Sequence, residues 1–185
     1  MRFLPVIAVT ALLAVAVAGC NTSGCLDNQN SLPLAGFYDS ATGADISLDS
    51  LDIGGVGAVN DSLLLEAGQA ASSVYLPLRS QKDFTAFFIH YAYSAQGLDD
   101  PALNDTIGFT YESEPYFASE ECGAMYRYKV SRLDYTTHLI DSVVLVDSLI
   151  TNFDTERLRI YFKIATVESE GSENPDNPEN PADES

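Results

Sequence analysis

Two histidines are the side chains of this sequence best suited to acid–base chemistry near neutral pH. His90 lies in the most apolar stretch of the chain, and His138 precedes Leu139 and Ile140. Neither has a second His or a Glu at the spacing of a zinc motif, and the sequence has no Gly-x-Ser-x-Gly elbow or phosphate-binding glycine loop. The pattern favours hydrogen-bonded histidines in strands, and we predict no catalytic residue and no enzyme.

Carboxylates are abundant, since the chain has 27 acidic and nine basic side chains and a net charge of −18 at pH 7. Asp99–Asp100 and Asn104–Asp105 could place several oxygen ligands of the kind calcium prefers in one loop. Their spacing is not that of an EF-hand loop, and Asp-Asp-Pro is also common in plain turns. Calcium binding is therefore an alternative, and we predict no resident metal or cofactor. Glycosidase carboxylates stay open, although the chain has no Trp to form a sugar platform.

The N-terminus carries a covalent-modification signal. Arg2 is followed by an apolar run from Phe3 to Val17, which is long enough for a secretory signal but too short to span a bilayer. The run ends in Val-Ala-Gly-Cys at residues 17–20, which resembles the lipobox of bacterial lipoproteins. We predict that residues 1–19 are removed and that acyl chains such as palmitate on Cys20 anchor the protein to a membrane. Asn21, in place of the Asp that retains lipoproteins in the inner membrane, favours the outer membrane.

Two further cysteines, Cys25 and Cys122, remain after Cys20 is acylated. An oxidising compartment and an even count favour a disulfide between them, and two free buried thiols are the alternative. The bond would close a loop of nearly 100 residues and stabilise the fold by at most about 4–5 kcal/mol. No Cys-x-x-Cys pair supports a metal or redox site.

The acidic balance excludes nucleic acid as a partner, because such a field repels phosphates. It is strongest in residues 168–185, which hold seven acidic and no basic side chains and three Asn-Pro pairs. With no aliphatic or aromatic side chain larger than alanine to bury, this tail is predicted to be disordered.

Asp followed by Ser or Thr and an apolar residue occurs six times, where roughly one is expected by chance from the composition. The triplet resembles an O-glycosylation signal of some anaerobic Gram-negative gut bacteria. A structural origin is the alternative, since Asp-Ser makes good turns and an apolar residue often opens the next strand. The candidate acceptors are Ser40, Ser50, Ser62, Thr106, Ser142 and Ser148.

The elements that position these residues are predicted to be strands, because apolar residues recur with a period near two and no stretch of 12 residues shows a helical stripe. Residues 84–93 are apolar on both faces, as in a central strand covered on each side. The other strand patterns lie near 46–53, 61–66, 74–78, 107–111, 123–134, 139–151 and 158–164. We predict one all-β antiparallel sandwich over residues 45–167, immunoglobulin-like in arrangement, with a small barrel as the alternative. Residues 20–44 are predicted to form a lipidated tether and entry segment that merges into the domain.

Several strings resemble a family of uncharacterised lipoproteins, catalogued as a domain of unknown function, from anaerobic Gram-negative gut bacteria. They are CLDNQNSLPLAGFY (25–38), VYLPLRS (74–80), EPYFASEECGAMYRYKV (114–130), YTTHLIDSV (135–143), DSLITN (147–152) and ERLRIYF (156–162). The resemblance implies a signal sequence, a lipid-modified cysteine and an envelope location. It assigns no catalytic or binding residue.

We therefore expect an envelope lipoprotein whose β-domain binds or scaffolds another envelope component, most simply a protein. A glycan- or calcium-binding surface module is the alternative. The sequence leaves the partner, the membrane face and the oligomeric state open.

Overall fold

The computed structural model describes residues 30–59 and 62–163, and its regular structure is almost entirely β-strand. Short 3-10 helices lie at Ser94–Gln96 and Pro101–Leu103, and no helix of the described residues is long and apolar enough to cross a membrane. The predicted signal peptide, Cys20, Cys25 and the acidic tail lie outside the described residues. The ten strands are β1 (Leu34–Asp39), β2 (Leu51–Gly55), β3 (Leu63–Leu65), β4 (Ser73–Tyr75), β5 (Phe84–Tyr91), β6 (Asp105–Ser119), β7 (Gly123–Tyr135), β8 (Ile140–Leu145), β9 (Leu149–Ile150) and β10 (Glu156–Phe162).

The strands form two sheets, which confirms the predicted all-β sandwich. The small sheet has the order β4-β1-β10-β8, and the large sheet, curled like half a barrel, has the order β3-β2-β5-β6-β7-β9. Within the described residues, β1 and β10 are the one parallel pair, and the other strand pairs are antiparallel. This order differs from the four-plus-three arrangement of a constant immunoglobulin domain.

The core lies between the sheets and is rich in aromatic rings. Phe162 of the small sheet packs edge-to-face on Phe37 and on Tyr91, with ring centroids 5.5 and 6.5 Å apart. Phe87 and Phe109 make a similar contact within the large sheet at 6.0 Å. Such pairs contribute about 0.5–1.5 kcal/mol each beyond the area they bury. The Phe162–Tyr91 pair is the one of the three that joins the two sheets.

β5 shows how the period-two pattern works and where the prediction was wrong. One face of the strand, including Phe87 and Tyr91, is buried in the core. The opposite face is half-buried at Phe88 and exposed at Phe84 rather than covered. The outer aromatics instead lie flat over glycines of neighbouring strands, which partly shields them without a second layer.

The predicted domain start at residue 45 was too late, because β1 already forms an interior strand of the small sheet between β4 and β10. Pro33 and Gly36 make this segment resemble a turn in sequence. At Gly36 a Cβ would lie 2.9 Å from the Tyr38 ring and would overlap the Glu156 carboxylate, so a larger residue there would displace these two side chains. The domain therefore includes β1, Leu34–Asp39, which lies within the segment predicted to be the tether and entry segment.

The two ends of the sandwich carry different parts of the chain. β1 and β10 start side by side, with Leu34 opposite Glu156, and finish together at Asp39 and Phe162. Residue 30 and the turn after β4 therefore lie at one end, which we call the N-terminal end. Lys163 lies at the opposite end, roughly 20 Å away, because a strand rises about 3.3 Å per residue.

Replacing Gly54 with Ala should destabilise the domain by about 1–3 kcal/mol, because the new Cβ overpacks a tight site. That Cβ would lie 2.7 Å from the Phe88 ring and 3.2 Å from Leu63. Gly55, the next residue of β2, is the matched control, since its nearest new contact would be an ordinary 3.7 Å. Thermal unfolding should show Gly55→Ala near or slightly above the wild-type Tm. Equal effects of the two substitutions would contradict this account of the outer aromatics.

Candidate functional site

The turn that follows β4 is held in place by buried tyrosines of the large sheet. The Tyr111 hydroxyl donates to the Arg79 carbonyl and accepts from the Arg79 backbone N–H, both at 2.9 Å. Tyr128 donates to the Leu78 carbonyl at 3.3 Å, and its ring packs edge-to-face on Tyr111 with centroids 5.4 Å apart. A further bond from the Lys82 N–H to the Arg79 carbonyl closes the turn at 3.1 Å. Its backbone is thus fixed by contacts that do not use the Arg79 or Lys82 side chains.

Beside this turn lies a groove of about 750 Å³, which we call the cationic groove. One wall is the turn from Arg79 to Lys82, and the other is the start of β7 from Ala124 to Tyr126. Asn30 and Leu32 also line it, so the groove is at the N-terminal end of the domain. None of the described residues that line it is acidic, although 27 of the chain's 185 residues are Asp or Glu.

Arg79 and Lys82 differ from the arginines elsewhere in the described part of the chain. Within residues 30–59 and 62–163, no carboxylate lies within ion-pair distance of either side chain. Asp83 follows Lys82 in sequence but lines a neighbouring depression of about 310 Å³, which both cations share with Phe84. The other arginines are paired: Arg127 with Glu114, Arg132 with Asp134, Arg157 with Asp147 and Arg159 with Glu156. Both cations therefore lie between the groove and the neighbouring depression, and the Arg79 Nη2 atom is on the depression side, 3.9 Å from where a Cβ on Gly55 would be.

The rest of the groove is apolar or aromatic. Leu78 and Met125 are buried at its base, whereas Tyr126 keeps 38% of its surface exposed. Concave sites that combine an apolar lining with a few placed polar groups are typical of ligand binding. The geometry therefore supports binding of a group that carries negative charge.

Arg79 and Lys82 were not predicted as site residues, although the sequence contains a signal for them. Residues 67–82 contain both cations and no Asp or Glu, in a chain otherwise dense in acids. Their position on one groove could not be predicted, because Tyr126 and Asn30 come from distant parts of the sequence.

The two histidines lie at the opposite end of the sandwich. His90 is on the half-exposed face of β5, with Nδ1 2.8 Å from the Asn104 side-chain oxygen and Nε2 3.3 Å from Asp99. His138 is exposed, and its Nδ1 lies 2.9 Å from the Asn104 carbonyl. Hydrogen-bonded histidines in strands were predicted: both are hydrogen-bonded, but only His90 is in a strand, since His138 lies between the end of β7 and the start of β8. The structure brings both near Asn104 but places neither in the cationic groove.

Asp105 is fully buried and ties the two sheets together at this end. Tyr91 of β5 donates to its carboxylate at 2.7 Å, and the Thr136 hydroxyl donates at 2.6 Å. The backbone N–H groups of His138, Leu139 and Ile140 donate at 2.8, 2.8 and 2.9 Å. Burial by itself raises the pKa of the Asp105 carboxyl, but the hydrogen bonds outweigh it, so this pKa lies below its ordinary value.

The acidic loop at 99–105 does not gather its oxygens around one position. Asp99 accepts from the Ser94 hydroxyl at 2.7 Å, and Asp100 accepts from the Ala102 N–H at 2.9 Å as the cap of a 3-10 helix. Asn104 and Asp105 are engaged as described above. No group of three or more His, Cys, Asp or Glu that could hold a metal ion occurs in residues 30–59 and 62–163.

The six Asp-Ser/Thr triplets are partly explained by the fold. In three of them the apolar third residue begins a strand, at Leu51, Leu63 and Leu149. In the triplet at 105–107 the Asp is the buried carboxylate that bridges the sheets. The candidate acceptors Ser62, Thr106 and Ser148 are exposed, whereas Ser40, Ser50 and Ser142 are half-buried. Glycosylation stays a prediction.

Cys122 lies half-buried in the turn between β6 and β7, and its backbone N–H donates to the Ser119 hydroxyl at 3.0 Å. Because Cys25 is outside the described residues, the predicted bond between the two stays a prediction. Ala124, two residues after Cys122, lines the cationic groove together with Asn30.

Comparison with known proteins gives a family and no function. Residues 50–162 match the family model described as a family of unknown function (DUF6452), and the chain belongs to that family. Neither the curated proteins nor the solved structures contain a significant match.

Proposed function

We propose that this chain is an envelope lipoprotein, anchored through acyl chains on Cys20, that uses the cationic groove to bind another component of the same envelope. The observation that carries the binding role is the groove itself: among the described residues it is bordered by two cations that have no carboxylate partner, and its lining has no acidic side chain and an exposed Tyr126. The support for the anchor is the lipobox-like sequence at residues 17–20. Asn21 favours the outer membrane as the location.

The position of the groove fits an anchored protein. Asn30 lines the groove and follows Cys20 by ten residues, which span at most about 35 Å when fully extended. The anchor would therefore keep the groove close to the membrane surface and to other envelope components. No catalytic step is part of this proposal, since the histidines lie at the opposite end and outside the groove.

Photo-crosslinking in the native host tests the proposal. A photoreactive residue replaces Gln81, which lines the groove, or Gln69, an exposed glutamine whose loop bonds to Asp49 near the opposite end. We expect the protein in the membrane fraction, with an intact mass for residues 20–185 plus acyl chains, and a defined envelope adduct at position 81 only. Cys20→Ala should lose the acyl mass, membrane recovery and adduct together. An unacylated mature chain, or equal adducts at 69 and 81, would refute it.

A further inference from the structure

We infer that the ligand of the cationic groove is an acidic saccharide, a short chain of sugar rings bearing carboxylate groups. This inference rests on the proposed binding role of the groove and names its ligand class. Three properties of the groove lead to it: its cations, its neutral polar and aromatic lining, and its size relative to the charged surface around it.

The cations provide carboxylate recognition. An arginine guanidinium is planar and can hold a carboxylate through two parallel N–H···O bonds, and a lysine ammonium adds a point charge. The turn bond from the Lys82 N–H to the Arg79 carbonyl keeps the two residues at one rim. The exposed Arg79 side chain extends toward Gly55, with Nη2 3.9 Å from where a Cβ on that residue would be, so it has to turn toward the groove to hold a ligand. Because neither side chain has a carboxylate partner within the described residues, no protein ion pair has to break before a ligand binds.

The remaining lining suits sugar rings rather than a purely apolar guest. Ser80 and Gln81 place a hydroxyl and an amide on the turn between the two cations, where they can exchange hydrogen bonds with sugar hydroxyls. Tyr126 offers an exposed aromatic ring beside them, against which the C–H face of a sugar ring can pack. A ligand with hydroxyls, apolar ring faces and carboxylates would use all of these groups at once.

The size and surroundings of the groove argue against larger anionic surfaces. About 750 Å³ is within the range of small-ligand sites, roughly 300–1,000 Å³. Outside the groove, Asp83, Glu112 and the exposed pair Glu120–Glu121 lie in the turns and the β6–β7 hairpin at the same end of the domain. A flat anionic membrane would meet these carboxylates together with the two cations, whereas no acidic side chain of the described residues lines the groove itself.

Calorimetric titration of the full acylated protein in neutral detergent tests the inference. The probe is trigalacturonate, and its fully methyl-esterified form is a neutral control of the same ring structure. We expect trigalacturonate to bind about tenfold more tightly than the ester and to weaken as ionic strength rises. Arg79→Gln and Lys82→Gln should each weaken binding about fivefold or more, whereas Arg132→Gln, the same charge change outside the groove, should have less than about a twofold effect.

Tyr126→Ala should also weaken binding, and Tyr135→Ala, a tyrosine of similar exposure away from the groove, should not. No binding of trigalacturonate at millimolar concentration, equal binding of the ester, or equal effects of Arg79→Gln and Arg132→Gln would overturn the inference. Tighter binding of a peptide of residues 168–185, or of phosphatidylglycerol vesicles, would overturn it in favour of another class of ligand. A crosslink from position 81 to an envelope protein, combined with no saccharide binding, would leave the proposed function standing and remove only the saccharide.

Discussion

Replacing Asp105 with Asn should lower the free energy of unfolding by about 2–4 kcal/mol at pH 7, because hydrogen bonds to a charged group contribute about 1.5–3 kcal/mol each. The carboxylate accepts from five donors, and three of them are backbone N–H groups that cannot turn away. An asparagine keeps the shape but directs an NH₂ group at some of these donors. Since the bonds join β5 to the segment that opens β8, their loss should weaken the contact between the sheets.

This contribution should depend on pH in a defined direction. The hydrogen bonds hold the pKa of Asp105 below its ordinary value, so the folded state binds this proton less readily than the unfolded state. The stabilisation is therefore fully present above the unfolded pKa of about 4 and is lost as the pH falls through the folded pKa. The difference in stability between wild type and Asp105→Asn should be constant near neutral pH and should shrink below about pH 4.

Urea unfolding followed by circular dichroism measures both effects. Asp134→Asn is the matched control, because Asp134 is an exposed carboxylate on β7 that pairs with the exposed Arg132. Exposed ion pairs contribute about 0–1 kcal/mol, so this variant should stay close to wild type at every pH. If Asp105→Asn unfolded like Asp134→Asn, the buried carboxylate would not be the link between the sheets.

The fold could be predicted from the sequence wherever alternation along a strand decides burial. In β5, and in β10 from Leu158 onward, buried side chains alternate with half-buried or exposed ones as the period-two pattern requires, and the two-sheet sandwich follows from many such segments. β1 was missed because Ala35, Gly36 and Phe37 are all buried, so its pattern has no alternation. Its parallel pairing with β10 depends on contacts across almost the whole domain, which no local pattern records.

The candidate site was less predictable, because long-range contacts decide it. Asp105 was assigned from sequence to an acidic loop and to a modification triplet, yet its donors come from Tyr91 and from residues 136–140. The cationic groove joins residues near 30, 80 and 125 of the chain. The pairing of the strands brings these residues together. A sequence pattern can at most reveal the acid-free stretch, residues 67–82, that supplies the cations of the groove.

The same convergence of chain segments supports the Cys25–Cys122 disulfide that we propose. Asn30 and Ala124 line one groove, so the start of the described chain lies beside the turn that holds Cys122. Five residue steps separate Cys25 from Asn30, and an extended chain covers at most about 17 Å in five steps. The bond would therefore join the tether to the β6–β7 hairpin at the groove, and would hold the anchor at the end of the domain that carries the proposed binding site.

Cys25→Ser, Cys122→Ser and the double variant should each lose about 3 kcal/mol of stability, because opening a loop of nearly 100 residues returns entropy to the unfolded chain. All three should unfold alike, and wild type should match them after reduction while gaining the mass of two hydrogens. Cys122 also accepts a long contact from the Asn152 amide at 3.9 Å, which Cys25→Ser leaves in place. The measurement is unfolding at neutral pH of these variants made in a Cys20→Ser background. It separates stabilisation by a disulfide from stabilisation by the local packing of Cys122. A stable Cys25→Ser protein beside a weakened Cys122→Ser protein would mean that Cys122 acts through local packing and that the two thiols are free.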